Sequence, residues 1–330
     1  MADRKRVLIT GMGGPAGISV LRGIADEPLD VYSADIDPFA AGLYLVAPER
    51  RVMLPRGDSP RFVEAVMEVC RRHAIDVLVP TVDSELLPVA QVRAEFEAAG
   101  VALVNPSADT LRMCLDKWAL HQRCDGVVRV PASAVVNGDF DPTSVALPVI
   151  VKPRSGSGSR GIRLISDHDE LAAVERDGTQ LVQEHLPGPE HSLDVLARRD
   201  GRVLAVVPRE RLKVDSGIAV TARVTRDAEL EHFGRTVAER IGLVGVGNVQ
   251  VKQAAGGEPA LLEVNPRFPG SMPLTIAAGV NMPALAVREA LGQPMPDDPI
   301  EFRPLAMVRL LEDRFLDFDE IATLQGQVDA

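Results

Sequence analysis

Residues 148–165 read PVIVKPRSGSGSRGIRLI and place an apolar strand, one lysine and a glycine-serine loop in a single short stretch. Val149-Ile150-Val151 is β-branched and apolar, the signature of a strand, and Lys152-Pro153 ends it because proline cannot donate to a ladder. Ser155, Gly156, Ser157, Gly158 and Ser159 follow, small residues whose backbone N–H groups can approach an oxyanion closely. Residues 162–165 resume as a second strand, so the expectation is a hairpin with a phosphate grip at its tip. A Walker loop would run from a strand into a helix and end in Gly-Lys-Ser/Thr, whereas here the lysine precedes the glycines. Taken alone, a glycine-serine run reads first as a flexible hairpin tip. Two further stretches change that weighting.

The composition sets the frame. At 330 residues, 46% hydrophobic and 25% charged, the chain reads as an ordinary globular protein of two or three domains. A formal charge of −11 argues against a nucleic-acid surface and favours a small-molecule partner. No apolar run reaches the roughly 18 residues of a membrane span, and MADRKRVLIT leads into a strand instead of a signal peptide, so a cytoplasmic protein without a membrane partner is expected. Cys70, Cys114 and Cys124 form no C-x-x-C pair and read as buried free thiols. The basic residues are five lysines and thirty-one arginines, so a lysine that persists marks a place where a compact ammonium suits a phosphate contact better than a guanidinium.

Along the chain, residues 6–10 read as a strand, 11–17 as a glycine turn, 18–25 as an amphipathic helix and 30–35 as the next strand. The turn carries G-x-G-x-x-A with Asp35 and Asp37 some twenty residues on, close to a dinucleotide-binding fingerprint, although Pro15 is unusual there. Helices over 61–73 and 84–99 alternate with strands at 76–80 and 102–105, which means a parallel doubly wound sheet. Asp83, Ser84 and Glu85 lie just past a strand's carboxyl end, where such sheets bind ligands, and the same residues would equally serve to cap the helix. From Pro106 a new unit begins, with a helix over 107–120 containing Lys117, which could also be an exposed helix lysine.

Residues 180–186 (QLVQEHL), then Pro187-Gly188-Pro189-Glu190, then a strand over 191–197 look like a linker between two lobes. Its backbone could pair with an adenine edge, and Glu190 could accept ribose hydroxyls. The last decisive stretch is 247–251 (GNVQV) and, after the Gly256-Gly257 turn, 260–267 (ALLEVNPR). Antiparallel pairing across that turn would put Gln250, Glu263 and Asn265 on one face, a set of hard oxygen ligands suited to Mg²⁺. Arg267 would reach the same side and could meet a transferred phosphoryl group.

These three stretches together closely resemble the ATP-grasp superfamily, most of all the branch that holds the carbamoyl phosphate synthetase large subunit, biotin carboxylase and stand-alone carboxylate-amine ligases, including the pyrrolysine-pathway ligase. The resemblance spans nearly the whole chain. It implies an α/β and α+β architecture, with a Rossmann-like parallel-sheet domain at 1–105 that holds no nucleotide. A two-lobed ATP-grasp fold then follows, its small lobe at 106–190 and large lobe at 191–330. Carried over residue by residue, it implies that Lys117 and Lys152 meet the α/β phosphates of ATP and that residues 155–161, with Gly161 at the end, fold over the γ-phosphate. Glu184, His185 and Leu186 would line the adenine pocket and Glu190 would take the ribose. Gln250, Glu263 and Asn265 would hold Mg²⁺, or Mn²⁺ in its place, Arg267 would steady the acyl phosphate, and Lys213 would stand as a second phosphate-facing lysine. Asp83, Ser84, Glu85 and Arg211 are candidates for substrate contact. The chain departs from the family's pattern at Gln250, where the second metal site has an acid, which leaves one metal ion or two.

The resemblance implies a ligase that activates a carboxylate as an acyl phosphate and couples it to an amine, with no covalent enzyme nucleophile. A bicarbonate-using carboxylase-type or carbamoyl-phosphate-type enzyme is the first alternative; no biotin-carrier context, second synthetase half or glutaminase is present in these residues. A non-catalytic nucleotide-binding module is the second. A homodimer is compatible with all of these.

Overall fold

Val7, Leu8 and Ile9 of the first strand are all apolar and buried, and successive side chains on a strand point to opposite faces, so they enter two cores. The computed structural model describes residues 4–156, 160–215 and 217–328. Strands β1 (Lys5–Ile9), β2 (Leu29–Asp35), β3 (Arg51–Met53), β4 (Val77–Val79) and β5 (Ala102–Leu103) form a parallel sheet in the order β3-β2-β1-β4-β5. Leu8 points into one core with Val66, Leu78 and Phe96, while Val7 and Ile9 point into the other with Val20 and Val77. Helices α1 (Pro15–Gly23), α2 (Phe62–Arg72), α3 (Asp83–Gln91) and α4 (Arg93–Ala98) cover the sheet, and the helix expected over 84–99 is two helices meeting at Val92.

The glycine turn after β1 is accounted for by packing. Gly11 has φ +67°, and a Cβ there would stand 2.4 Å from Val82 Cγ2. The fingerprint acid is also engaged: Asp35 accepts the backbone N–H groups of Gly13 at 2.6 Å, Ile36 at 2.8 Å and Asp37 at 3.0 Å.

The strands on either side of the glycine-serine stretch, β7 and β8, pair antiparallel as expected. Strands β6 (Ser133–Val135), β7 (Val149–Pro153), β8 (Arg163–Ile165) and β9 (Gln180–Glu184) make an antiparallel sheet in the order β6-β9-β7-β8. A larger antiparallel sheet takes β10 (Glu190–Ala197), β11 (Val203–Asp215), β12 (Ile218–Val224), β13 (Gly245–Gln253), β14 (Pro259–Asn265) and β15 (Leu305–Val308), in the order β14-β13-β10-β11-β12-β15. This combination of a parallel N-terminal sheet and two antiparallel sheets is the mixed architecture expected.

The helix expected over 107–120 breaks at Asp116 into α5 (Ala108–Leu115) and α6 (Lys117–Cys124). Asp116 adopts an extended backbone and caps α6, accepting from the N–H of Trp118 at 2.9 Å and of Ala119 at 3.4 Å. Both helices lie on the large sheet: Cys114, Leu120 and Cys124 pack with Leu193, Val195, Val249 and Leu261, together with α8 (Ala228–Ile241). Residues 108–124 therefore pack on the large sheet and, through Leu111, on Leu86 and Ala90 of α3, whereas the four-stranded sheet begins at Ser133. The three cysteines are buried and free.

The short helix α7 (His168–Ala172) packs beside β8, and α9 (Met272–Ala277) and α10 (Met282–Ala290) pack on α1. The core that begins with Val7 and Ile9 thus runs on through Met272, Met282 and Val287 to Leu204 and Val207 of β11. The last helix, α11 (Phe318–Val328), returns to β3, where Glu320 accepts from Arg51 at 2.7 Å. Among the described residues no helix is long and apolar enough to cross a membrane.

Asp116 also ties α6 to the strand before the glycine-serine loop through Arg154 Nη2 at 2.6 Å. Asp116→Ala should destabilise the chain by about 1–2 kcal/mol, seen as a lower urea midpoint, while Asp116→Asn keeps the cap and loses less. An unchanged midpoint in the alanine variant would contradict this account of the break.

Candidate functional site

Register places a row of polar side chains across four strands of the large sheet. Gln250 stands opposite Glu263 and Ser192, and Ser192 stands opposite Arg209. In the next row Asn248 faces Asn265 on one side and Asp194 on the other. Directly paired residues project to the same side of a sheet, so Gln250, Glu263 and Asn265 share one face as their spacing predicts. All three border one cavity of about 600 Å³. The rest of the row was readable as polar residues alternating with apolar ones: Asn248 has the parity of Gln250, and Ser192 and Asp194 flank Leu193.

Beneath this face lies a buried network. Asp194 is fully buried and accepts from Arg209 Nε at 2.8 Å, Arg209 Nη2 at 2.6 Å, Asn248 Nδ2 at 2.7 Å and Thr275 Oγ1 at 2.5 Å. The four bonds satisfy a carboxylate that would otherwise be very costly to bury.

Two of the five lysines come to the edge of the trio. Lys117 Nζ is 3.3 Å from Glu263 Oε2 and donates to the carbonyl of Gly156 at 2.8 Å. Lys152 is buried at the end of β7, and both lysines border a cleft of about 100 Å³ shared with Glu190, Gln250 and Glu263. Burial pulls the Lys152 ammonium down to about 8, with Glu263 opposing the shift and Lys117 adding to it. His121, under the same wall, donates Nε2–H to the carbonyl of Leu262 (3.1 Å), and burial together with the nearby Lys152 lowers it to about 4, so it is neutral at neutral pH.

The opposite wall is the N-terminal domain. Arg267 donates Nε to Asp83 Oδ1 at 2.5 Å and Nη2 to Asp83 Oδ2 at 3.0 Å, a bidentate bridge between residues 184 apart. Asp83 is the first residue of α3, and the N-cap position is Val82. Glu85 accepts a hydrogen bond from the Thr10 hydroxyl, and burial pushes its carboxyl up to about 7 against that bond. Asp83, Ser84, Glu85 and Arg211 all border the large cavity.

The remaining candidates are placed as follows. Glu190 opens β10 and pairs with Arg211, whose Nη2 also donates to the carbonyl of Gly217 at 2.9 Å. Glu184 accepts from Arg129 Nη2 at 2.9 Å and from the N–H of Ala132 at 3.2 Å. His185 is half-buried, and Leu186 is buried with Ala254 and Ala260. Ser155, Gly156 and Gly161 are exposed, and Gly161 has φ +74°. Ser157, Gly158 and Ser159 lie outside the described residues. Lys213 is exposed on β11, at a register shift against β12, and does not border either cavity.

The trio supplies one carboxylate and two amide oxygens. Carboxylate and amide oxygens fit a hard cation that takes its remaining oxygens from a phosphate-bearing partner and water. The Lys117 ammonium at Glu263 shows that the carboxylate already attracts a cation there.

Residues 176–313 match the family described as "ATP-grasp in the biosynthetic pathway with Ter operon", and residues 7–104 match "PylC-like, N-terminal domain". The carbamoyl phosphate synthase large chain of Xanthomonas campestris pv. campestris is 27% identical over 233 residues, 62% of this chain and 22% of that one. The chain spans a quarter or less of the length of the first curated relatives it matches. In fold it is similar to N5-carboxyaminoimidazole synthetase from Staphylococcus aureus complexed with ADP (TM-score 0.76, 17% identity, covering 98% of this chain and 86% of that one). It is also similar to the biotin carboxylase–beta-gamma-ATP complex from Campylobacter jejuni (TM-score 0.74, 17% identity, 91% and 74%).

The lysine wall yields a pH prediction. Lys152 carries its charge below about 8, so affinity for a phosphate-rich anion should hold steady at neutral pH and fall as pH rises through that value. Calorimetric titration with tripolyphosphate between about pH 6 and pH 10 measures this against the ordinary lysine value near 10.4. Lys152→Met should bind weakly without that step. Equal pH dependence in the two proteins would contradict the assignment.

Proposed function

We propose that the chain is an ATP-grasp ligase with a PylC-like domain in front, and that it activates a carboxylate with Mg-ATP and joins it to an amine. The observation that carries this reading is that Gln250 and Glu263 border both the small cleft lined by Lys117 and Lys152 and the large cavity lined by Asn265 and Arg267.

Each residue answers a charge problem. ATP and a carboxylate repel, so Lys117, Lys152 and Arg267 must offset their combined negative charge before the two can meet. Gln250, Glu263 and Asn265 would hold Mg²⁺, which supplies charge stabilisation on the phosphates. The carboxylate oxygen bonds to the γ-phosphorus as the bond to ADP breaks, giving an acyl phosphate. The amine nitrogen then bonds to the acyl carbon as phosphate leaves, and the amine gives up a proton. Arg267, fixed by Asp83, is oriented to steady the anionic acyl phosphate. Glu190, beside the lysines, suits the ribose. A cavity of about 600 Å³ that reaches the N-terminal domain is large for bicarbonate and favours amino-acid-like substrates.

Screening amino acids in pairs for ADP release, with a Mg²⁺ series, tests the reading. In the pair that turns over, Glu263→Gln should keep ATP affinity within a few-fold and lose turnover by about a hundredfold or more. A wild-type rate in this variant at every Mg²⁺ concentration, or no ADP release with any pair, would contradict it.

A further inference from the structure

Two arginines on the large cavity are held in the same way. Arg267 gives Nε and Nη2 to Asp83, and Arg209 gives Nε and Nη2 to Asp194. That geometry spends one edge of each guanidinium and leaves the Nη1 edge. In Arg267 this edge meets only the carbonyl of Phe268, at 3.4 Å. In Arg209 it has no acceptor among the described residues, although the side chain is only 2% exposed and borders the cavity.

The burial of Arg209 is not explained by stability alone. A buried ion pair roughly offsets its own desolvation, and an apolar pair of the same size would serve as well. Its partner is already saturated, since Asn248 and Thr275 also donate to Asp194. The result is a neutral, rigid pair whose open donors face a cavity at no further cost in reorganisation. Its place along the row is also set. Ser192 stands between Gln250 and Arg209, so Arg209 lies two strand spacings, about 10 Å, from Gln250 and three from Glu263.

We propose that Arg209 binds the unreacting carboxylate of the amine substrate, which makes that substrate an amino acid and not a simple amine. This rests on the ligase reading above. A carboxylate two to three strands from the reacting centre leaves the amino group free to reach the acyl phosphate, and Nη1 can meet it with charge-assisted hydrogen bonds.

The test is calorimetric titration of the full chain, with Mg²⁺ and a non-hydrolysable ATP analogue present, against the common L-amino acids and the carboxamide of each that binds. At least one amino acid should bind, and its carboxamide should bind about tenfold to a hundredfold more weakly. Arg209→Gln should bring the acid down to the level of the carboxamide, with affinity for the ATP analogue unchanged. Because that variant leaves Asp194 short of a partner, Asp194→Asn/Arg209→Gln removes both charges and should give the same loss of preference. Analogue binding without binding of any amino acid would overturn this inference and leave the nucleotide reading standing. Equal binding of acid and carboxamide to the unmodified chain, or a preference that survives in either variant, would also overturn it. Absence of analogue binding would overturn the ligase reading and this inference together.

Discussion

Asp194 sits where water cannot reach it, and the large lobe is arranged around that constraint. A buried carboxylate left short of donors costs several kcal/mol, so the elements that reach it must come together in one geometry. Arg209 of β11, Asn248 of β13 and Thr275 of α9 all donate to it, and it belongs itself to β10. One charge therefore pins three neighbouring strands to the helix that packs on α1. Asn248 of this network stands two residues from Gln250, whose place opposite Glu263 is set by the register of β13 and β14.

The N-terminal domain is part of the same machine. Its parallel sheet shares a core with the large lobe through Val7, Ile9, Met272 and Leu204. Asn281 Nδ2 donates to the carbonyl of Gly23 at 2.7 Å, and Arg288 pairs with Glu27 at 2.6 Å. With that docking in place, the crevice at the ends of β1 and β4 faces the antiparallel sheet, and Asp83 can hold Arg267. The glycine turn that resembles a dinucleotide fingerprint packs Gly11 against Val82, has Asp35 on three backbone N–H groups, and borders the large cavity.

Local periodicity made much of this legible. The hairpin of β7 and β8, the parallel alternation of the first domain and the shared face of Gln250, Glu263 and Asn265 follow from patterns within a few residues of each other. Pairings across long separations were not legible. Nothing near Asp83 announces Arg267, 184 positions away, and Lys117 read equally well as a surface lysine until α6 was laid on β14 beside Glu263. The break at Asp116 was missed because the apolar spacing continues through it, although an aspartate ahead of Trp118 and Ala119 is a cap signal in its own right. Asp194 and Arg209 escaped for a similar reason: each looks like a polar residue on a solvated strand, and only the sheet order shows that both are buried.

The central claim is that nucleotide chemistry belongs to the antiparallel face and its lysines, not to the glycine turn of the first domain. Calorimetric titration of the full chain with Mg-ATP and, separately, with NADH tests it most directly. The account predicts one saturable Mg-ATP site that Lys152→Ala removes, and no saturable heat with NADH. A saturable NADH site, or Mg-ATP binding that Lys152→Ala leaves intact, would contradict it.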